Sequence, residues 1–227
     1  MADANKKRIV RNGVSSSNVI QSAHVGGNEH VFPLVLRLHV PVGSVVADVT
    51  WGKGVFWKHV PKDDYVVLAT DIAMGVDCRH LPYRDGDIDC VVLDPPYMEG
   101  FFRRHVDHFG GQGAYAPFRH AYSNGEVLPT RSAKWHDAVL DLYDQAADEA
   151  YRVLRNKGVF IVKCQDGVCG GKQRLTHVDL IVSYERKGFM IKDLFVVVRT
   201  NRASVSRIVR QVHARKNHSY FLVFIKR

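Results

Sequence analysis

At 227 residues the chain is sized for one domain, or one domain with a modest extension. Its 46% hydrophobic and 24% charged content excludes a disordered tail, a collagen-like fibre and a disulfide scaffold. The charge is divided unevenly: residues 1–97 carry 10 Lys+Arg against 11 Asp+Glu, and residues 98–227 carry 22 against 12. A near-neutral first half joined to a basic second half points to a polyanionic partner, nucleic acid first, over a merely solvated basic surface. No apolar run approaches the ~18–20 residues that span a bilayer, and the polar start MADANKKRIVRNG has no apolar stretch of a secretory signal. Cys78, Cys90, Cys164 and Cys169 form no dense framework and read as reduced, mostly buried residues. The expectation is a cytoplasmic protein with no membrane partner.

Residues 1–28, rich in Ser, Asn, Gly and Lys, read as a flexible arm, and residues 29–227 as one domain. VFPLVLRLHV (31–40) predicts a short helix stopped by Pro41 and Gly43. The β-branched run VVADVT (45–50) predicts a buried strand. WGKG (51–54) follows as a turn, and VFWKHV (55–60) as a short helix ending at Pro61. YVVLATD (65–71) and the start of CVVLDPPY (90–97) predict two more strands. From Trp135 to Leu154 the apolar residues recur at helical spacing on one face, with Gly158 read as the helix stop. GVFIVKC (158–164) predicts a strand and THVDLIVSYERKG (176–188) a helix. FMIKDLFVVV (189–198) and SYFLVFIK (219–226) predict the last strands. Strands alternating with helices imply a three-layer, Rossmann-like α/β fold with a mostly parallel sheet, the last two strands forming an antiparallel edge.

In open α/β sheets ligands bind beyond the carboxyl ends of the strands. Acids fall at three consecutive strand or loop ends: Asp48, Asp71 and Asp77. Gly52 and Gly54 after Asp48 would let the backbone approach a ligand closely. The position that would complete a dinucleotide fingerprint is Trp57, and no phosphate-loop Lys-Ser/Thr follows. Asp48 could hold an ammonium, Asp71 a pair of ribose hydroxyls and Asp77 an adenine amine.

The most informative run is Asp94-Pro95-Pro96-Tyr97, directly after an apolar strand. Two prolines fix φ and end the strand in one stiff shape. An exocyclic base amine has two N–H donors and a poorly available lone pair. Asp94 and the Pro95 carbonyl could accept those donors and free the lone pair, with Tyr97 stacked on the base.

On these residues the chain resembles the S-adenosylmethionine-dependent amino methyltransferases, in particular those acting on adenine-N6 and cytosine-N4 of DNA. The resemblance rests on VVADVTWGKG, YVVLATD, GVDCRHLPYRDGDIDCVVLDPPY and ARKNHSYFLVFIK, and runs from about Asn28 onward. It implies a catalytic motif at Asp94, Pro95, Pro96 and Tyr97. It implies a site for S-adenosyl-L-methionine built from Asp48, Thr50, Gly52, Gly54, Asp71, Asp77 and Cys78, with His30, Phe32 and Pro33 enclosing the methionine end. Asp at the head of the tetrapeptide favours adenine-N6 over cytosine-N4. Val49-Thr50 and Val55 stand where the family usually has Pro with a small or aromatic residue, and Thr. Alternatives are an RNA base amino methyltransferase, a cytosine-N4 DNA methyltransferase and a nucleic-acid-binding module with a weakened cofactor site.

Residues 98–133 hold five glycines, six aromatics and four arginines directly after the tetrapeptide. A loop of more than ~12–15 residues is usually functional, and this composition suits an unstacked base, with Arg103, Arg104 and Arg119 on phosphates. From Phe195 onward there are eight basic residues and no acid, so Arg202, Arg207 and Arg210 are expected on phosphates of DNA, or of RNA. Cys164 and Cys169 with His177 match no usual zinc spacing, and no metal is expected.

Overall fold

The computed structural model describes residues 19–97, 136–200 and 210–227. The strands of its main sheet are β1 (Ala23–Val25), β2 (Val45–Asp48), β3 (Val66–Ala69), β4 (Ile88–Leu93), β5 (Leu154–Cys164), β8 (Phe189–Val198) and β9 (His218–Lys226). They lie in the order β1-β8-β9-β5-β4-β2-β3. A separate hairpin, β6 (Gly167–Cys169) with β7 (Lys172–Arg174), follows β5. Within the main sheet only β9 runs against its neighbours; the pairings β1–β8, β5–β4, β4–β2 and β2–β3 are parallel.

Alternation along the strands explains the layers. Phe160, Val162, Leu222 and Phe224 point to the face covered by helices α2 (His136–Val153) and α3 (Thr176–Arg186). Val159, Ile161, Phe221 and Val223 point to the face covered by helix α1 (Asn28–His39) and the 3₁₀ turn Val55–His59. On α2, Val139, Leu142, Tyr143, Ala146, Ala147, Ala150 and Val153 form the buried stripe that the helical spacing requires. Each large apolar side chain taken wholly from water adds roughly 1.5–3 kcal/mol, so the two faces together fix the sheet between helices. This is the expected three-layer α/β architecture.

Three expectations are corrected. The arm expected to be flexible through residue 28 contains β1, whose residues Ala23–Val25 pair with Val196–Val198, and α1 already begins at Asn28. The antiparallel pair β8–β9 does not form the edge: β9 is inserted between β5 and β8, and β1 closes that side. Gly158 does not stop a helix. Backbone pairing with Ile88 turns the chain from helix to strand at Leu154, and a register shift between Ile88 and Cys90 puts Lys157, at φ 62°, and Gly158 in the bulge. A Cβ on Gly158 would stand 2.8 Å from the Arg155 carbonyl oxygen. Among the described residues no helix is long and apolar enough to cross a membrane.

Candidate active site

Strands β2, β3 and β4 end side by side, because Asp48 pairs with both Ala69 and Val92. The chain runs from β2 outward to β3 and then returns to the other side of β2, which makes this carboxyl edge a topological switch point. Asp48, Asp71 and Asp94 all fall on it.

Asp48 is 4% exposed. Trp57 Nε1 donates to its Oδ2 at 2.7 Å and the Thr50 N–H to its Oδ1 at 3.2 Å. Burial pushes its carboxyl up to about 7, and the charges of Asp94 and Asp71 push the same way, while the two donors oppose them. The loop after β2 closes over this acid. Gly54 takes φ 63°, and a Cβ there would meet Trp51 Cζ2 at 2.6 Å, so the Trp51 ring can lie over the backbone only at glycine. Trp51 in turn stacks on Trp57, ring centroids 6.0 Å apart. Asp71 ties the loop from the other strand: its Oδ2 accepts the Gly52 N–H at 2.9 Å and its Oδ1 the Ala73 N–H at 2.8 Å.

Thr50 joins this loop to the proline turn. Its Oγ1 accepts the Asp94 N–H at 2.6 Å, which aligns the residue after β4 against the second residue after β2. Tyr97 O–H donates to Asp94 Oδ1, and among the described residues no donor bonds Oδ2. Burial raises the Asp94 carboxyl to about 6 against the opposing effects of the Tyr97 hydrogen bond and the charges of Lys163 and Arg199.

The structure thus brings together Asp48, Thr50, Gly52, Gly54, Asp71, Asp94, Pro95, Pro96 and Tyr97. The other expected residues stand differently. Phe32 is wholly buried against Phe56, Trp57 and Phe221, so it supports the loop from below. Pro33 is half-buried within α1. His30 is exposed and stacks on His59 at 4.8 Å. Asp77 is gripped by Arg79, whose Nη2 donates to Oδ2 at 2.6 Å and whose Nε and backbone N–H donate to Oδ1. These contacts outweigh burial and hold its carboxyl below the usual range. Cys78 is packed in the apolar layer beside Leu81 and α2 rather than on the edge. Arg210 is exposed. The loop at 98–133 with Arg103, Arg104 and Arg119, and Arg202 and Arg207, lie outside the described residues.

Sequence reading missed Trp57, Lys163, Arg199 and Ser219. Lys163 carried a signal, as the one charge in the apolar strand GVFIVKC. Trp57 lies nine residues from Asp48 in the same loop, so an indole N–H close in sequence to a strand-end acid was its signal. Arg199 and Ser219 carried none, because their relation to this edge exists only across strands.

No family model matches the chain, and no curated protein does. Solved structures of similar course are known. One is a provisionally assigned DNA modification methylase of Thermus thermophilus, solved with S-adenosyl-L-methionine (16% identity, TM-score 0.41, 80% of this chain and 55% of that one). A second is TrmN from Thermus thermophilus (16%, 0.48, 88% and 50%). A third is the 1,6-didemethyltoxoflavin-N1-methyltransferase of Burkholderia thailandensis, with S-adenosylhomocysteine (12%, 0.49, 88% and 78%). The chain spans between 51% and 60% of the length of the first solved structures it matches.

Proposed function

We propose that this chain is an S-adenosylmethionine-dependent methyltransferase acting on the exocyclic amine of a nucleic-acid base, adenine-N6 in DNA. The observation that carries the reading is the Asp94-Pro95-Pro96-Tyr97 turn at the carboxyl end of β4, pinned through its first N–H to Thr50 beside the acid-and-glycine loop.

The residues present suit the cofactor. Each Asp71 oxygen already accepts one backbone N–H and has a second lone pair for a ribose hydroxyl. Asp48 has the same remaining capacity toward an ammonium, and Gly52, at positive φ with only the Thr50 carbonyl oxygen within 4 Å of where a Cβ would stand, leaves the loop backbone open at that point. When bound, S-adenosylmethionine supplies an electrophilic methyl group on a sulfonium.

The chain's own work falls to the proline turn. Asp94 Oδ2 accepts one N–H of the base amine and the Pro95 carbonyl the other, so the nitrogen lone pair is freed from the ring. Tyr97 keeps Oδ1 supplied with a donor and so fixes the carboxyl rotamer. The nitrogen gives up one proton, which Asp94 Oδ2 can take, since burial has raised that carboxyl to about 6. Fixed acceptors of this kind need no reorganisation at the moment of reaction. The exposed Arg210 belongs with the phosphate contacts expected of the basic segment.

Incubation with labelled S-adenosylmethionine and separate DNA and RNA pools, followed by nucleoside analysis, tests the reading. Labelled N6-methyladenine from DNA is expected. Label from RNA alone would transfer the reading to RNA, and label from neither would end it. A second reading, a nucleic-acid-binding module that takes no cofactor, draws on the Asp77–Arg79 pair, which occupies the acid expected at the adenine amine. Calorimetric titration with S-adenosylmethionine separates the two.

A further inference from the structure

Lys163 is 0% exposed, which is rare for an ammonium with no bonded carboxylate partner among the described residues. It sits at the carboxyl end of β5, on the α1 side of the sheet with Val159 and Ile161. Its Nζ donates to Ser219 Oγ at 2.6 Å and lies 4.3 Å from the centre of the Phe221 ring. Those two contacts hold the charge in place without cancelling it. Leu93 pairs with Val162, so the next residues of these parallel strands, Asp94 and Lys163, are neighbours at the edge. Alternation puts both on the same face, since Val92 and Ile161 share the α1-side core.

Resting on the reading above, we propose that Lys163 is a positioning residue that keeps Asp94 ionised, and so able to accept, when a base amine is presented. A buried carboxylate beside apolar strands tends to take up a proton and lose its acceptor character on that oxygen. A nearby fixed cation opposes this. Among the described residues, the other groups that bear on Asp94 are Tyr97 from its own turn, Asp48 from β2, Tyr143 from α2, Cys164 from β5 and Arg199 beyond β8. Of these only Arg199 is cationic. Burial lowers the Lys163 ammonium to about 8, and Asp94 is among the groups that hold it up, which is the reciprocal side of the same coupling. A purely structural lysine would need no acid across the strand, and Met of similar length would replace it without effect on Asp94.

The test uses the full chain with Lys163→Met, following the Asp94 carboxyl by carbon-13 NMR titration, with Asp94→Asn identifying the signal. The titration midpoint of Asp94 is expected to rise by about 1 pH unit or more, the usual effect of removing an adjacent opposite charge. Methyl transfer should fall about threefold near pH 6.5, more at lower pH, and recover above pH 8, in kcat rather than in S-adenosylmethionine affinity. Should Lys163→Met fail to fold, Ser219→Ala reads the same coupling, because it removes the anchor of the ammonium, and a smaller rise is expected. An unmoved Asp94 midpoint in the folded variant overturns the proposal whatever the activity. Absence of methyl transfer by the unmutated chain overturns the functional reading instead, and the NMR result still decides the Lys163–Asp94 coupling.

Discussion

On the β2–β3 side of the carboxyl edge, the groups that meet lie within residues 48–73: Asp48 takes its donors from Thr50 and Trp57, and Asp71 from Gly52 and Ala73. On the β4–β5 side, Asp94 meets Lys163 and Arg199 as charges, and Lys163 is held by Ser219 from β9. The first side is made by a local loop folding on itself. The second is made by sheet registration, and no short segment contains it. A loop built locally suits a ligand that must be enclosed, whereas charges set by registration cannot drift apart without breaking the sheet.

If the two sides do different work, their variants should separate. The largest effect is expected from Asp94→Ala: methyl transfer should fall by about 10²–10³ or more, as when other preorganised polar groups are removed, with S-adenosylmethionine affinity unchanged by calorimetry. Turnover close to that of the unmutated chain would erase the distinction.

Next comes pH. Asp48 carries a carboxyl raised to about 7 when folded, against ~3.9 in the unfolded chain. The native state therefore holds a proton that the unfolded state has already released. The Asp48 contribution to stability is present below about pH 4, is lost as the pH rises toward 7, and is flat above. The loss is on the order of 2–4 kcal/mol. Urea unfolding of Asp48→Asn should show less decline from pH 4.5 to 7 than the unmutated chain; parallel curves would mean that Asp48 is ionised throughout.

A smaller effect belongs to Asp71→Ala, which should weaken S-adenosylmethionine binding by about 1–3 kcal/mol, the consequence of losing hydrogen bonds to polar groups. Once cofactor is saturating, kcat should be little changed. A drop in kcat at saturation with unchanged affinity would reverse the assignment of the two sides. The smallest concerns Arg210. If it contacts one phosphate, Arg210→Ala should flatten the slope of log affinity against log salt on duplex DNA by about 0.9, equally on all sequences. An unchanged slope removes it from the interface.

The local side of the edge was the readable one. Asp48, Gly52, Gly54 and Asp71 follow from strand ends and turn glycines, and the proline turn declares itself because two prolines after an apolar strand permit little else. The helix α2 stripe was equally plain from its period. Three things were hidden. The bulge at Lys157–Gly158 mimics a helix stop because glycine serves both. The strand β1 is only three residues long and gains its identity from pairing with β8. Arg199 and Ser219 acquire meaning only from the strand order, which periodicity does not encode, and the same order names the partner of the charge that Lys163 shows in an apolar strand.

That order also bears on how the chain is made. β9 follows both β5 and β8 in the sequence yet sits between them. While the chain emerges from the ribosome, β5 and β8 are complete before their shared partner exists, and each offers an unpaired, strongly apolar border. Such borders are sites of intermolecular pairing. The nascent molecule is therefore two partial sheets awaiting a central strand, and a chain interrupted before His218 would be aggregation-prone rather than merely inactive.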